Sequence, residues 1–357
     1  MVLFLASVFL GIVPMAVYAL IVWRLDRWEK EPFPLLLAAF LWGALPSVLF
    51  ALISQFLLGA VPGGEGSPEA SLMSELYGAS IVAPFTEELV KGFGVLLIFL
   101  FFRHEIDSVL DGLIYGSMVG FGFSAVENIL YFSGQPDAGS LVFLFVLRAF
   151  IFGMLHALFT GLFGVGLALG YFSRSPIGKW LWPVAGLALG MATHSVHNYF
   201  ATLGGAHLLY AIAGVSCGVI WFGVTAAVCL YHENRWIRLH LSEEVDRGVL
   251  FAEQALDAAD FWKRSHLSGL QGGFSRAWRR HALLHEATKL AYLKQKEARL
   301  GLSPSVSNGI ELLRERVRVL SREDPLVATG TIQPGRRLPP PLPPTRRAPP
   351  PLPANES

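Results

Sequence analysis

Between Ala79 and Phe102 the chain is apolar except at its middle, where Phe85-Thr86-Glu87-Glu88-Leu89-Val90-Lys91 sets two carboxylates beside an ammonium. An ionisable side chain at the centre of a membrane helix costs roughly 2.5–3.5 kcal/mol on insertion scales, so it points to a function and to a partner. On a helix Lys91 stands at i+4 from Glu87 and i+3 from Glu88, so one ammonium reaches either carboxylate and keeps it ionised against desolvation. Adjacent residues project about 100° apart, which lets one Glu pair while the other faces a cavity. An ion pair that merely holds helices together needs one Glu, and here there are two. The chemistry such a group supports is general-base activation of water.

Other apolar segments supply company. Phe123-Ser124-Ala125-Val126-Glu127-Asn128 adds a third carboxylate with a side-chain amide next to it, open to reading as a polar contact between helices. Arg148 and His156 share one segment, and Arg148 either snorkels or pairs with a carboxylate. Thr193-His194-Ser195-Val196-His197-Asn198 puts His194 and Asn198 on one helical face. Counted at 1.5 Å per residue from the outer end of each segment, Glu87 and Glu88 lie about 12–14 Å deep, Glu127 about 8 Å, Arg148 about 12 Å and His194 to Asn198 about 6–12 Å. These groups form one layer in the outer half of a bilayer. His156 falls at about 24 Å and leaves that layer unless its long segment has a late or re-entrant outer end. A buried Glu acting as base on water, with His or Asn stabilising a tetrahedral oxyanion, describes peptide hydrolysis inside the membrane. No Ser-His or Ser-Lys pairing has a supporting motif. Metal is not expected, since no His-Glu-x-x-His or Cys cluster is present; if zinc binds, Glu127, His156, His194 and His197 are its ligands.

The elements that must position these groups are legible as seven apolar segments, 3–23, 34–60, 79–102, 112–132, 140–171, 180–202 and 207–231, each near or above the roughly 20 residues that span a bilayer. The expected fold is therefore all-α, a polytopic membrane helix bundle of about seven transmembrane helices. Met1 to Trp23 has no basic n-region and is too long for a signal h-region, so it reads as an uncleaved first span. Of the 28 Lys and Arg, only eight precede residue 232. Arg24, Arg27, Lys30, Arg103, Arg174 and Lys179 fall in alternate loops, which sets the N-terminus outside and the C-terminus in the cytoplasm of a multi-pass cell-membrane protein. Residues 1–232 form the membrane domain, 233–325 a cytoplasmic helical region and 326–357 a disordered tail rich in proline, with Pro334 to Pro353 precluding a packed core. Breaks are expected near Gly269-Gly273 and Ser303-Pro304. The basic stretch Arg276 to Arg299, with Leu283, Leu284, Leu290 and Leu293 between its charges, reads as a surface for the membrane or a cytoplasmic partner, or as a solvated hairpin. Cys217 and Cys229 are too far apart on one helix for a disulfide and read as packing residues.

Glu87-Glu88-x-x-Lys91, Phe123-x-x-x-Glu127-Asn128, Arg148 with His156, and His194-x-x-x-Asn198 together resemble the PrsW family of intramembrane proteases, a relative of the CAAX prenyl-protease and bacteriocin-processing (Abi) membrane enzymes. The first loop, Asp26-Arg27-Trp28-Glu29-Lys30-Glu31-Pro32, also resembles that family's loop ending in Glu-Pro. The resemblance covers about residues 15–230 and leaves the tail outside it. It implies a protease in which the paired Glu activates water and a His supports the oxyanion, without metal, one role being cleavage of an anti-sigma factor. The prenyl-protease branch has His where this chain has Glu127, which argues against a prenylated substrate. The expectation is thus an intramembrane endopeptidase acting on a membrane-protein or lipidated protein substrate, with Glu88 or Glu87 as base, Lys91 its charge partner, His194 with Asn198 supporting the oxyanion, and Glu127, Asn128, Arg148 and His156 secondary. No nucleic-acid partner is expected. The rival is a proton- or ion-coupled transporter or receptor, which predicts inverted repeats that the sequence does not display; a third reading is a non-catalytic scaffold acting through its tail.

Overall fold

In hydrocarbon a chain must satisfy its own backbone hydrogen bonds, and among the described residues each apolar segment marked above is helical over most of its length. The computed structural model describes residues 2–58, 68–260, 274–301, 304–328 and 332, and among the described residues there is no strand. Among the described residues, five helical stretches are long and apolar enough to cross a membrane: Val2–Trp23 (α1), Phe33–Leu57 (α2), Val109–Ser133 (α5), Ala138–Tyr171 and Gly205–Asp246. Pro68–Tyr77 is α3. The remaining two expected segments, Ala83–Phe101 (α4) and Pro176–Leu203 (α8), are helices of 19 and 28 residues. They carry the Glu87-Glu88-Lys91 and His194-His197-Asn198 groups, whose polarity lowers the hydropathy of both.

Three π-turns interrupt the bundle. Gly43–Ser47 lies within α2 and contains Pro46, Gly78–Val82 leads into the Ala83-Pro84 start of α4, and Val146–Ile151 follows Ala138–Phe145 (α6). Proline lacks an N–H, so an extra residue in the turn absorbs the missing bond at the first two. The third corrects the expectation of a continuous span over 140–171. After Val146–Ile151 the chain turns at residues 152–154 before Leu155–Tyr171 (α7) begins, with Phe152 N–H bonded to the Leu147 carbonyl at 2.9 Å. An unbroken helix of 34 residues would be about 51 Å long, well beyond a bilayer core. His156 is therefore the second residue of a new helix, and a depth count along one straight helix misplaced it.

Helix α5 is the axis of the membrane unit: most of its residues from Leu110 to Asn128 are buried, against α1, α2 and α7. Its Gly112, Gly116 and Gly120 form a small-residue ridge along which α7 approaches backbone to backbone. A Cβ added at Gly120 would stand 2.4 Å from the His156 carbonyl oxygen. Gly120→Val should therefore push α7 away, lower the thermal unfolding temperature by an amount matching about 1–3 kcal/mol of overpacking, and abolish activity, whereas Gly134→Ala, with no contact under 3.7 Å, should do neither.

The loop between α1 and α2 is folded inward. The Glu31 N–H donates to Asp26 Oδ2 at 2.8 Å, the Tyr115 hydroxyl donates to the Glu31 carboxylate, and Lys30 donates to the carbonyls of Trp23 and Asp26. Burial, and secondarily the charge of Asp111, pushes Asp26 from its ordinary value up to about 8 despite nearby Lys30; burial and Asp111 also raise Glu31. A carboxyl that holds its proton more tightly when folded contributes stability that is complete below pH 4 and is lost as pH rises through about 8. Asp26→Asn, which keeps the oxygen acceptor and stays neutral, should flatten that part of the stability profile; unfolding temperatures measured from pH 5 to pH 9 check it.

The described residues divide into two compact units, one of Met1–Glu233 with Gln295–Val306, the other of Asn234–Lys294 with the residues from Ser307 onward. Leu208–Asp246 (α9) and Phe274–Leu300 (α11) each run from one unit into the other. In the first unit Lys296 bonds Asp107 at 2.7 Å. The second unit adds Ala252–Ala259 (α10) and Pro304–Arg322 (α12). Its interior is unusually polar: Glu244 is wholly buried against Lys294 at 2.8 Å and Arg314 at 2.8 Å, and Arg280 bonds Asp257 and, at 2.6 Å, Asp324. Leu283, Leu284 and Leu290 are buried, so the apolar side of Arg276 to Arg299 packs inside the chain and is not a free face for membrane or partner. Sequence periodicity does not distinguish these two uses of one amphipathic helix. Gly269-Gly273, Ser303 and Pro334 to Pro353 lie outside the described residues. Cys217 and Cys229 are free thiols.

Candidate active site

Helix α4 is pinned before it presents anything. Trp42 Nε1 donates to the Val90 carbonyl at 3.0 Å, and Gly94 leaves room for the Trp42 ring, which a Cβ there would meet at 2.1 Å. This fixes the rotation of the helix and turns Glu87, Glu88 and Lys91 inward, all three buried. Lys91 has no exposed surface; its Nζ lies 2.6 Å from Glu88 Oε1, 3.4 Å from Glu87 Oε2 and 3.0 Å from His156 Nδ1, and rests 4.0 Å above the Phe123 ring. An ammonium has three protons to donate, and each finds an acceptor.

The two carboxylates are not equivalent. Glu88 is saturated: besides Lys91 it accepts from His194 Nδ1 at 3.0 Å and from the Thr160 hydroxyl at 3.0 Å. Glu87 is held more loosely, by Gln55 Nε2 at 3.2 Å and the long Lys91 contact, with His194 Nε2 at 3.9 Å. Because His194 gives its Nδ1 proton to Glu88, a neutral imidazole directs the Nε2 lone pair toward Glu87. The two facing atoms are both acceptors. A water lodged beside them would donate one proton to each and keep its own lone pairs free. The imidazole is stacked on Phe159, ring centres 4.6 Å apart, which sets its plane.

A second carboxylate centre adjoins the first. Glu127 accepts from Arg148 and from His156 Nε2 at 2.8 Å, so His156 links the Glu127 carboxylate to the Lys91 ammonium through its two nitrogens. Arg148 sits in the π-turn Val146–Ile151, lies 3.9 Å over the Tyr131 ring, and donates from Nε to Asn128 Oδ1 at 2.7 Å. A guanidinium has only donors, so this bond fixes which end of the Asn128 amide is oxygen. The Nδ2 end is buried without a partner, on a side chain only 1% exposed. Asn198, by contrast, spends its amide on the Ala79 carbonyl of the π-turn at 2.8 Å. His197 packs edge-on against Phe152 at 4.7 Å, with Nδ1 buried and unpaired.

These groups border a cavity of about 260 Å³ whose polar wall is Glu127, Asn128, Arg148, His156, His194 and Asn198. Glu87 and Glu88 stand behind that wall and meet it through His194 and the Lys91–His156 contact. All nine residues expected from the sequence thus fall in one continuous constellation drawn from α4, α5, α7, α8 and the Arg148 turn. Sequence reasoning missed Gln55, Thr160 and Tyr131; Gln55, next to Ser54, and Thr160 are uncharged polar residues in apolar runs, the one signal that marks them.

The donor set also bears on metal. Glu87, His156 and His194 each offer one ligand atom within 4.8 Å of the others. Glu127 is taken up by Arg148, and His197 does not join the group, so the converging set differs from the one expected. Two His and one carboxylate match a three-ligand catalytic zinc site, and each His carries a carboxylate on another nitrogen, Glu88 for His194 and Glu127 for His156, as metal-ligating His residues usually do. The residues fit the group, with the Lys91 ammonium as the one cation already bonded to two of the three.

The model of the family described as "PrsW family intramembrane metalloprotease" matches residues 31–229. Protease PrsW of Geobacillus kaustophilus (strain HTA426) is 30% identical over 174 residues, covering 49% of this chain and 70% of that protein. Protease PrsW of Bacillus subtilis (strain 168) is 28% identical over 203 residues, covering 57% of this chain and 85% of that protein. No solved structure matches the chain. With the family model spanning more than half of its length and the motif residues gathered around one buried cavity, this multi-pass membrane protein belongs to the PrsW family of intramembrane proteases.

Proposed function

We propose that the chain hydrolyses a peptide bond of a membrane-associated protein, anti-sigma factors included among the substrates considered, with Glu87 as the base. The observation that carries this reading is the asymmetry of the pair: Glu88 is spent on Lys91, His194 and Thr160, while Glu87 Oε2 faces the His194 Nε2 lone pair across 3.9 Å. Water held there loses a proton to Glu87 as its oxygen bonds to the scissile carbonyl carbon. The carbonyl oxygen becomes an oxyanion, for which the unpaired Asn128 Nδ2 is the oriented donor, with Arg148 supplying positive charge behind it. Collapse breaks the C–N bond, and the proton on Glu87 passes to the leaving amine. This moves the oxyanion role from Asn198, which braces the π-turn, to Asn128. Asn128→Ala and Asn128→Asp, neither of which offers an N–H there, should lower kcat by about 10²–10³ with KM little changed; an unchanged kcat in both would sink the assignment.

A second reading rests on the Glu87, His156 and His194 convergence. Those residues would hold a zinc ion, which when bound polarises a carbonyl and acidifies a water. Metal content of the purified protein by mass spectrometry, with and without chelation, separates the readings. The metal-independent account expects activity to survive chelation with no stoichiometric metal, and one equivalent of zinc lost in parallel with activity contradicts it. The alternation of basic loops supports an N-terminus outside and a tail in the cytoplasm.

A further inference from the structure

A larger cavity, about 460 Å³ and almost wholly apolar, lies between α7, α8 and the membrane part of α9. It shares Leu155, Phe159 and His197 with the polar cavity, so the two meet at one wall. On α9 its floor is Tyr210, Gly214, Cys217, Gly218 and Trp221, residues at helical spacing on one face; on α8 it is Leu189, Thr193, Val196 and Phe200, again one face. Both rows extend over 11 residues, about 16 Å of helix or half a bilayer core. Gly218 already takes Leu158 of α7, which a Cβ there would meet at 2.7 Å, whereas nothing lies within 4 Å of a Cβ placed on Gly214, so there another helix can approach closely.

We infer that this trough seats a transmembrane helix of the substrate and delivers its end, past His197 and Phe159, into the polar cavity. The inference rests on reading that cavity as the hydrolytic site. Two features favour a helix over another occupant. The trough offers almost no polar atoms, so only a backbone that satisfies itself can lie in it. The adjoining cavity offers the opposite, a wall carrying Glu127, Asn128, Arg148, His156 and Asn198 that can take up the backbone groups of a segment that unwinds. Polypeptide passing from one to the other stays satisfied throughout.

Cys217 lines the trough and supplies a probe, with Cys229 beyond it as an internal control. The full chain is reconstituted in liposomes with a single-pass poly-Leu/Ala peptide carrying one cysteine at mid-span, then mildly oxidised. A disulfide to Cys217 and not to Cys229 is expected. Gly214→Leu and Val196→Trp, which fill the trough at an open and an exposed position, should each reduce it at least tenfold. Glu87→Gln should leave it intact, so that loss of catalysis and loss of docking are told apart. Equal crosslinking to both cysteines, or crosslinking indifferent to both trough variants, overturns the inference. So does displacement of the peptide by a bilayer phospholipid with a photoreactive acyl chain that itself labels the trough, which would make the occupant a lipid.

Discussion

Lys91→Met is expected to destabilise the membrane unit by about 3–5 kcal/mol and to abolish activity, the largest effect of any single substitution outside the helix–helix glycine contacts. The ammonium has no solvent to fall back on, and it is the common partner of Glu87, Glu88 and His156. Removing it leaves two adjacent carboxylates buried without a counter-charge, and the neutralisation that follows frees His194 and His156 from their orientations. Combining Lys91→Met with Glu88→Gln removes one of the two uncompensated charges along with the cation. The double variant should regain much of the lost stability and none of the activity. Thermal unfolding in detergent, read for the single and double variants together, measures this coupling. Additive losses would mean that Lys91 and Glu88 do not act as a unit.

Glu87→Gln and Glu88→Gln should both remove activity, for different reasons that stability separates. A glutamine at 87 accepts from Lys91 with its oxygen and donates from its amide to Gln55 once that side chain turns its own oxygen inward, so folding should be nearly unaffected while kcat falls by about 10²–10⁴, the contribution of a general base. A glutamine at 88 removes the carboxylate nearest the buried Lys91 ammonium, at 2.6 Å, and leaves it only the longer 3.4 Å contact to Glu87 as counter-charge. Leaving a wholly buried ammonium short of its nearest counter-charge costs about 1–3 kcal/mol, and the neutral oxygen holds His194 more weakly. Loss of activity with unchanged unfolding temperature is therefore the signature of Glu87, and loss of both the signature of Glu88.

How far the sequence reaches depends on what each residue contrasts with. Glu87, Glu88 and Lys91 stand out because charge in an apolar run is costly, and helical spacing alone predicts that Lys91 touches both carboxylates. Arg148 and Glu127 find each other, as opposite charges in hydrocarbon must. The depth count misplaces His156 because the break at residues 152–154 contains no proline and reads as apolar helix; α7, which starts after it, packs on the glycine ridge of α5. Gln55 and Thr160 escaped because single uncharged polar residues are common in membrane helices and cost little. That Asn198, and not Asn128, gives its amide N–H to a backbone carbonyl was equally hidden. Which amide is already spent depends on the Ala79 carbonyl, exposed only because the chain enters α4 through a π-turn. In the tail, the leucines of Arg276 to Arg299 showed an apolar face correctly but not that the chain covers it itself.

The central claim is that a water beside Glu87 and His194 cuts a peptide bond of a protein in the membrane. Its most direct test compares membrane proteomes of cells producing, at equal abundance, the wild-type chain or Glu87→Gln, with mapping of new termini by mass spectrometry. The account predicts at least one membrane-derived fragment with a fresh terminus that is present with the wild type and absent with the variant. Identical fragments from both, with the wild-type chain active against that substrate, would contradict it.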